Sequence, residues 1–154
     1  MTVSTTTSRV SYTGDGSSTD FPVPFPFFGS DELEVIERVI ATGAETTKTL
    51  TTDYAVAGGG GTTGTVTAVS APAATVQWVI RRVTAQTQLV DYTPNDPFPA
   101  ETHEQALDRA CMRDQELTEQ VGRALTIPVT DPSSVVTELP SSVDRASKFF
   151  AFDA

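Results

Sequence analysis

The chain has 154 residues, of which 38% are hydrophobic and 19% charged, with ten glycines and ten prolines. That length suits one domain with a short appendage, and a Thr-, Ser-, Gly- and Pro-rich mixture favours strands and turns over a helical bundle. Twenty acidic against ten basic residues give a formal net charge of -10, a surface that repels phosphate backbones and argues against nucleic acid as a partner.

Residues 1 to about 7 are polar and are expected to be loose. A first strand is predicted near Arg9 to Thr13, with Val10 and Tyr12 on one face, followed by a turn at Gly14-Asp15-Gly16-Ser17-Ser18. In Phe21-Pro22-Val23-Pro24-Phe25-Pro26-Phe27-Phe28 the alternate prolines hold the chain extended and remove ladder donors, so this segment is at best an edge strand. Its four phenylalanines either cover one end of a sandwich or form a contact surface. Leu33 to Ile40 is the next strand. Leu33 and Val35 share one face and Ile36 and Ile40 the other, a phase slip that predicts a bulge or burial on both faces.

Ala41-Thr42-Gly43-Ala44 turns the chain into a weaker strand over Lys48 to Val56, and Gly58 to Gly61 reads as a flexible loop. Gly64 to Val69 alternates as a strand. Ala71 to Ala74 turns into Thr75 to Val83, where Val76, Trp78 and Ile80 face one way and Val79 and Val83 the other. Short strands at this spacing predict a mainly β, antiparallel sandwich or barrel-like domain over 1–98.

One amphipathic helix is predicted over 99–126. Pro99 suits its start, Glu101 and Glu104 its dipole, and Thr102 with Gln105 a capping box. Leu107, Ala110, Asp114, Leu117, Val121 and Ala124 step by three and four, which is heptad spacing with a polar residue inside it. The stripe either associates with copies of itself or packs on the chain's own sheet, with Asp114 at the margin. The single cysteine, Cys111, lies beside this stripe and is expected to be a buried, reduced thiol. Residues 127–154 read as an extended Pro/Ser-rich tail, although Phe149, Phe150 and Phe152 ask for something to dock on.

The residue inventory argues against catalysis. The one histidine, His103, falls in the first helical turn, too far from Cys111 to activate it. One His and one Cys do not make a zinc site, and the tetraglycine lacks the Gly-Lys-Ser/Thr of a phosphate cradle. No enzyme activity, metal or cofactor is expected. No apolar run approaches the ~18 residues of a membrane span, and the N-terminus has no signal-peptide pattern, so a cytoplasmic origin and no membrane partner are expected.

The order of motifs resembles the N-terminal domain of tail fibres and tailspikes of short-tailed, podovirus-type phages. Its carriers are Tyr12-Thr13-Gly14-Asp15-Gly16 running through Phe21-Pro22-Val23-Pro24-Phe25, then Thr52-Asp53-Tyr54, Arg81-Arg82-Val83-Thr84, and Leu89-Val90-Asp91-Tyr92 before an acidic helix. The resemblance covers about residues 8 to 125, and Phe149 to Ala154 resembles the start of a fibre shaft. It implies a homotrimeric virion protein, made in the host bacterium, whose helix gathers three chains. It also implies attachment to tail tube proteins (adaptor and nozzle rings) and a distal fibre or receptor-binding protein beyond the helix. On this reading Phe21, Phe25, Phe27, Phe28, Pro94 and Phe98 are the expected tail contacts, together with the loops at Gly58 to Gly61 and Thr93 to Phe98. The seam residues above are the expected trimer contacts. The competing expectation is a carbohydrate-binding sandwich that touches a host glycan.

Overall fold

The computed structural model describes residues 3–88, 90–92, 97–132, 134, 141, 143 and 144. Two antiparallel sheets are built from β1 (Arg9–Thr13), β2 (Asp20–Phe27), β3 (Leu33–Val39), β4 (Glu45–Thr47), β5 (Tyr54–Gly58), β6 (Thr62–Ala68) and β7 (Val76–Arg82). The first sheet has the order β1-β7-β3-β4 and the second β2-β6-β5. The expected mainly β architecture with one helix after it is therefore the observed one.

The period-2 pattern of β2 decides the core. Pro22 and Pro24 face solvent, while Phe21, Val23, Phe25 and Phe27 all point inward. They meet Leu33 and Val35 of β3, Tyr54 of β5, Val66 and Ala68 of β6, and Trp78 and Ile80 of β7. The prolines are tolerated because β2 is an edge strand, pairing only with β6, and its register shifts between Val23 and Phe27. Phe21 sits 5.4 Å from the ring of Tyr12 and 5.5 Å from that of Trp78, which ties the two sheets together. The Tyr12 hydroxyl reaches from β1 to donate to the Pro22 carbonyl at 2.6 Å.

One local alternative is decided and two local expectations are corrected. The strand β3 pairs with β7 in unbroken register from Leu33↔Arg82 to Val39↔Val76, so it carries no bulge; its apolar side chains are shared between faces because Ile36 is half-buried on the outer one. The segment Lys48 to Val56 is not one strand. The Asp53 carboxylate accepts the Thr49 N–H at 2.7 Å, and Thr51 takes a φ of 70°, so a turn precedes β5. The tetraglycine is not a free loop. Its four residues all have positive φ, and Gly60 and Gly61 donate to the carbonyls of Phe28 and Phe27 at 2.9 and 2.8 Å, clamping the turn onto the end of β2. Beyond it, a Cβ on Gly64 would lie 2.3 Å from the Ala57 carbonyl oxygen and 2.7 Å from the Phe27 ring, so only glycine lets β6 approach both.

The helix α1 spans Ala100–Gly122 and belongs to the same compact unit as the sheets, residues 1–123. Its N-cap is Pro99 and no side chain caps it, so the Thr102/Gln105 capping box does not form. It also ends before the expected residue 126, leaving Ala124 beyond its last turn. The second unit, residues 124–154, is described only in part; it contains a turn in which Asp131 N–H donates to the Pro128 carbonyl at 3.1 Å. The expectation of an extended tail, with Phe149 to Phe152, falls outside the described residues. Among the described residues no helix is long and apolar enough to cross a membrane.

Candidate association surface on the helix

The helix docks on the sandwich through its polar face. Residues Asp108, Met112 and Glu116, spaced by four, are its buried positions. Met112 is fully buried, and its buried neighbours along the helix, Asp108 and Glu116, are charged. The Arg82 guanidinium, at the end of β7, is wholly enclosed and each of its three nitrogens donates. Its Nε donates to Glu116 Oε1 at 2.7 Å, Nη1 to the Pro26 carbonyl at 2.8 Å, and Nη2 to Gln115 Oε1 at 2.9 Å and the Met112 carbonyl at 3.3 Å. Glu116 is satisfied from the other side by Thr84, whose Oγ1 donates at 2.6 Å and whose backbone N–H donates at 3.0 Å. A buried pair with this many supporting hydrogen bonds fixes one helix orientation rather than adding bulk stability.

A second clamp lies about two turns earlier than Glu116. Arg109 pairs with Glu32, which is buried in the one-turn 3-10 segment Ser30–Glu32, and the guanidinium stacks 4.1 Å from the centre of the Phe28 ring. Glu32 Oε2 also accepts the Phe28 N–H at 2.9 Å. Arg113 holds the segment leading into the helix, donating to the carbonyls of Ala85 and Thr87 at 2.7 Å each. The N-terminal segment, expected to be loose, runs along the helix instead. Val3 N–H donates to the buried Asp108 carboxylate at 3.3 Å, and Gln115 Nε2 donates to the Thr5 carbonyl at 2.8 Å.

With its polar face inward, the helix turns its apolar stripe out. Met112 and Asp114 lie two residues, roughly 200°, apart around the helix, so burying one exposes the other. Leu107, Ala110, Asp114, Leu117 and Val121 are all exposed, Leu107 and Leu117 at 59% each, and Ala124 beyond the helix is exposed too. The alternative that this stripe packs on the chain's own sheet is thereby excluded. Cys111, next to the stripe, is exposed, which corrects the expected buried thiol. The stripe continues toward the start of the helix through His103, whose ring lies 5.1 Å from that of exposed Phe98.

The expected tail contacts separate into three groups. Phe21, Phe25 and Phe27 are core, with Phe25 and Phe27 at 0% exposure; their inward phase on β2 removes them from any contact surface. Phe28 is half-buried under Arg109, and Phe98 is exposed at 68%. Pro94, with most of the Thr93 to Phe98 loop, lies outside the described residues. Trp78, the chain's one tryptophan, is buried at 3% exposure and donates its indole N–H to Glu37 at 2.9 Å. Burial would raise the Glu37 carboxyl, but the hydrogen bonds from Trp78 and Lys48 and the Lys48 charge outweigh it and hold it below the ordinary range. The charged residues of the docking face, Glu32, Arg82, Arg109 and Glu116, carry no spacing signal in the sequence. The Arg81-Arg82-Val83-Thr84 strand end was the nearest hint.

The description "Phage T7 tail fibre protein, N-terminal domain" belongs to a family whose profile matches residues 1–102. The chain is also 38% identical, over 136 residues, to the tail spike protein of Salmonella phage epsilon15. That alignment takes in 88% of this chain but 12% of the tail spike protein, so the chain spans about an eighth of that relative's length. A contiguous stretch of 136 residues in a chain of 154 necessarily includes the helix, which the family profile reaches only at its first turn.

Proposed function

The chain belongs to the phage T7 tail fibre protein N-terminal domain family, a family of the virion tail, and from that premise we propose that it anchors a trimeric tail fibre or tailspike to the tail tube. Three copies join through their helices, the three sandwiches grip the adaptor and nozzle rings, and a distal fibre or receptor-binding protein continues past the helix. The chain supplies attachment, not chemistry. The observation that carries this reading is the orientation of α1: polar contacts hold it on the sandwich, and a heptad-spaced apolar face is exposed. An exposed stripe of this kind is what a protein association site requires. The Phe98 end of the stripe, the surface around Phe28 and the turn at Gly58 to Gly61 are candidates for the tail-protein grip. Three sandwiches binding together need only weak individual contacts, because the second and third engage at high effective concentration.

Sedimentation equilibrium tests the association. The chain is expected at about three times its 16.4 kDa mass. Leu117→Asp combined with Val121→Asp is expected to reduce it to a monomer with unchanged circular dichroism, because both side chains are exposed and contribute nothing to the sandwich core. A wild-type monomer at micromolar concentration overturns the reading.

A further inference from the structure

Among the described residues, two consecutive positions of the helix carry opposite charges without a counter-ion. Asp114 is exposed in the middle of the apolar stripe and forms no ion pair among the described residues. Arg113 directs Nε and Nη2 at the carbonyls of Ala85 and Thr87, and no carboxylate pairs with it among the described residues. Those two bonds hold its guanidinium beside an open groove of about 530 Å³, which Asp114, Leu117 and Gln120 also line. The two residues cannot neutralise each other, because consecutive side chains on a helix point about 100° apart.

Copies of the chain can do what one copy cannot. In a parallel assembly a seam side chain enters a hole made by four residues of the facing helix. With the stripe in heptad register, the hole facing Asp114 is made by Ala110, Arg113, Asp114 and Leu117 of the neighbouring copy. We infer that the Asp114 carboxylate of each copy accepts hydrogen bonds from the Arg113 guanidinium of the next. The occupant of the groove beside the stripe is therefore a second copy of this chain, in parallel orientation and in one register. The inference rests on the trimer reading above and adds to it the contact that fixes register. Without such a pair, three carboxylates would meet in the seam with no cation, and the association would weaken. Arg113 suits the task because its carbonyl partners restrain the side chain before association.

The test is trimer dissociation followed by sedimentation across chain concentration. Asp114→Arg is expected to raise the concentration of half-dissociation by about 100-fold, since three attractions become three repulsions. Adding Arg113→Asp is expected to recover most of that loss. Arg113 also braces the Ala85–Thr87 segment, so salt gives an independent readout. Salt should weaken the wild-type trimer but leave Asp114→Asn, already weaker by about tenfold, nearly unchanged. A wild-type monomer overturns the trimer reading itself. A wild-type trimer whose Asp114→Arg variant stays equally tight, or whose salt dependence matches that of Asp114→Asn, overturns the pairing alone.

Discussion

Replacing Glu116 by Ala is expected to release the helix from the sandwich while the sandwich stays folded. The substitution removes the acceptor for Arg82 Nε and for both donors of Thr84, leaving a fully enclosed guanidinium without its counter-charge. Breaking one side of such a buried pair costs about 3–5 kcal/mol, most of it for the charge left behind. The loss should fall on the helix, because the eleven-residue core cluster contains no residue of α1. Hydrogen exchange reads this directly. Amides of Ala100–Gly122 should lose protection, whereas those of β3 and β7 should keep it. The paired substitution Arg82→Met with Glu116→Leu removes both charges together and is expected to retain far more helix protection. If Glu116→Ala leaves helix exchange unchanged, the polar clamp does not hold the helix.

Substituting Phe25 and Phe27 by Ser is expected to abolish folding. Both side chains are fully buried, and truncating one buried phenylalanine costs about 3–5 kcal/mol, before counting the unpaired hydroxyl that serine leaves. Two such losses approach or exceed the roughly 5–15 kcal/mol that holds a typical domain together. Thermal melting by circular dichroism should show no cooperative transition for the double variant. A variant that folds and trimerises but no longer joins virions would restore these rings as contact residues.

Much of this architecture was legible in the sequence. The hydrophobic alternation of β1, β6 and β7 and the glycine and proline punctuation between strands placed those elements within a residue or two. The prolines of β2 marked it as an edge. The same strand also carried its burial: Phe21, Val23, Phe25 and Phe27 occupy every second position, so they share one face, and β3, β5, β6 and β7 supply the core it meets. Aromatic content drew attention to a surface role that the phase of the strand contradicts. The break between β4 and β5 was less visible, since it depends on the Asp53 side chain capturing the Thr49 N–H rather than on a glycine or proline. The stripe of the helix was visible, but its direction was not. An amphipathic helix ordinarily turns its apolar face to its own core. Here the opposite face is held by ion pairs that span 34 residues between Arg82 and Glu116 and 77 between Glu32 and Arg109, and such long-range pairs leave no local pattern.

Cys111 gives the most direct access to the seam. It is the chain's one cysteine, it is exposed, and it stands next to the stripe, so a spin label can be placed there without altering the protein elsewhere. Helices packed side by side lie about 8–10 Å apart, so labels on adjacent parallel helices should show one narrow distance below about 30 Å by pulsed electron resonance. That distance should vanish in the Leu117→Asp/Val121→Asp variant. A wild-type sample with no dipolar coupling, or with a broad spread of long distances, would contradict the claim that this outward-facing helix brings the copies together.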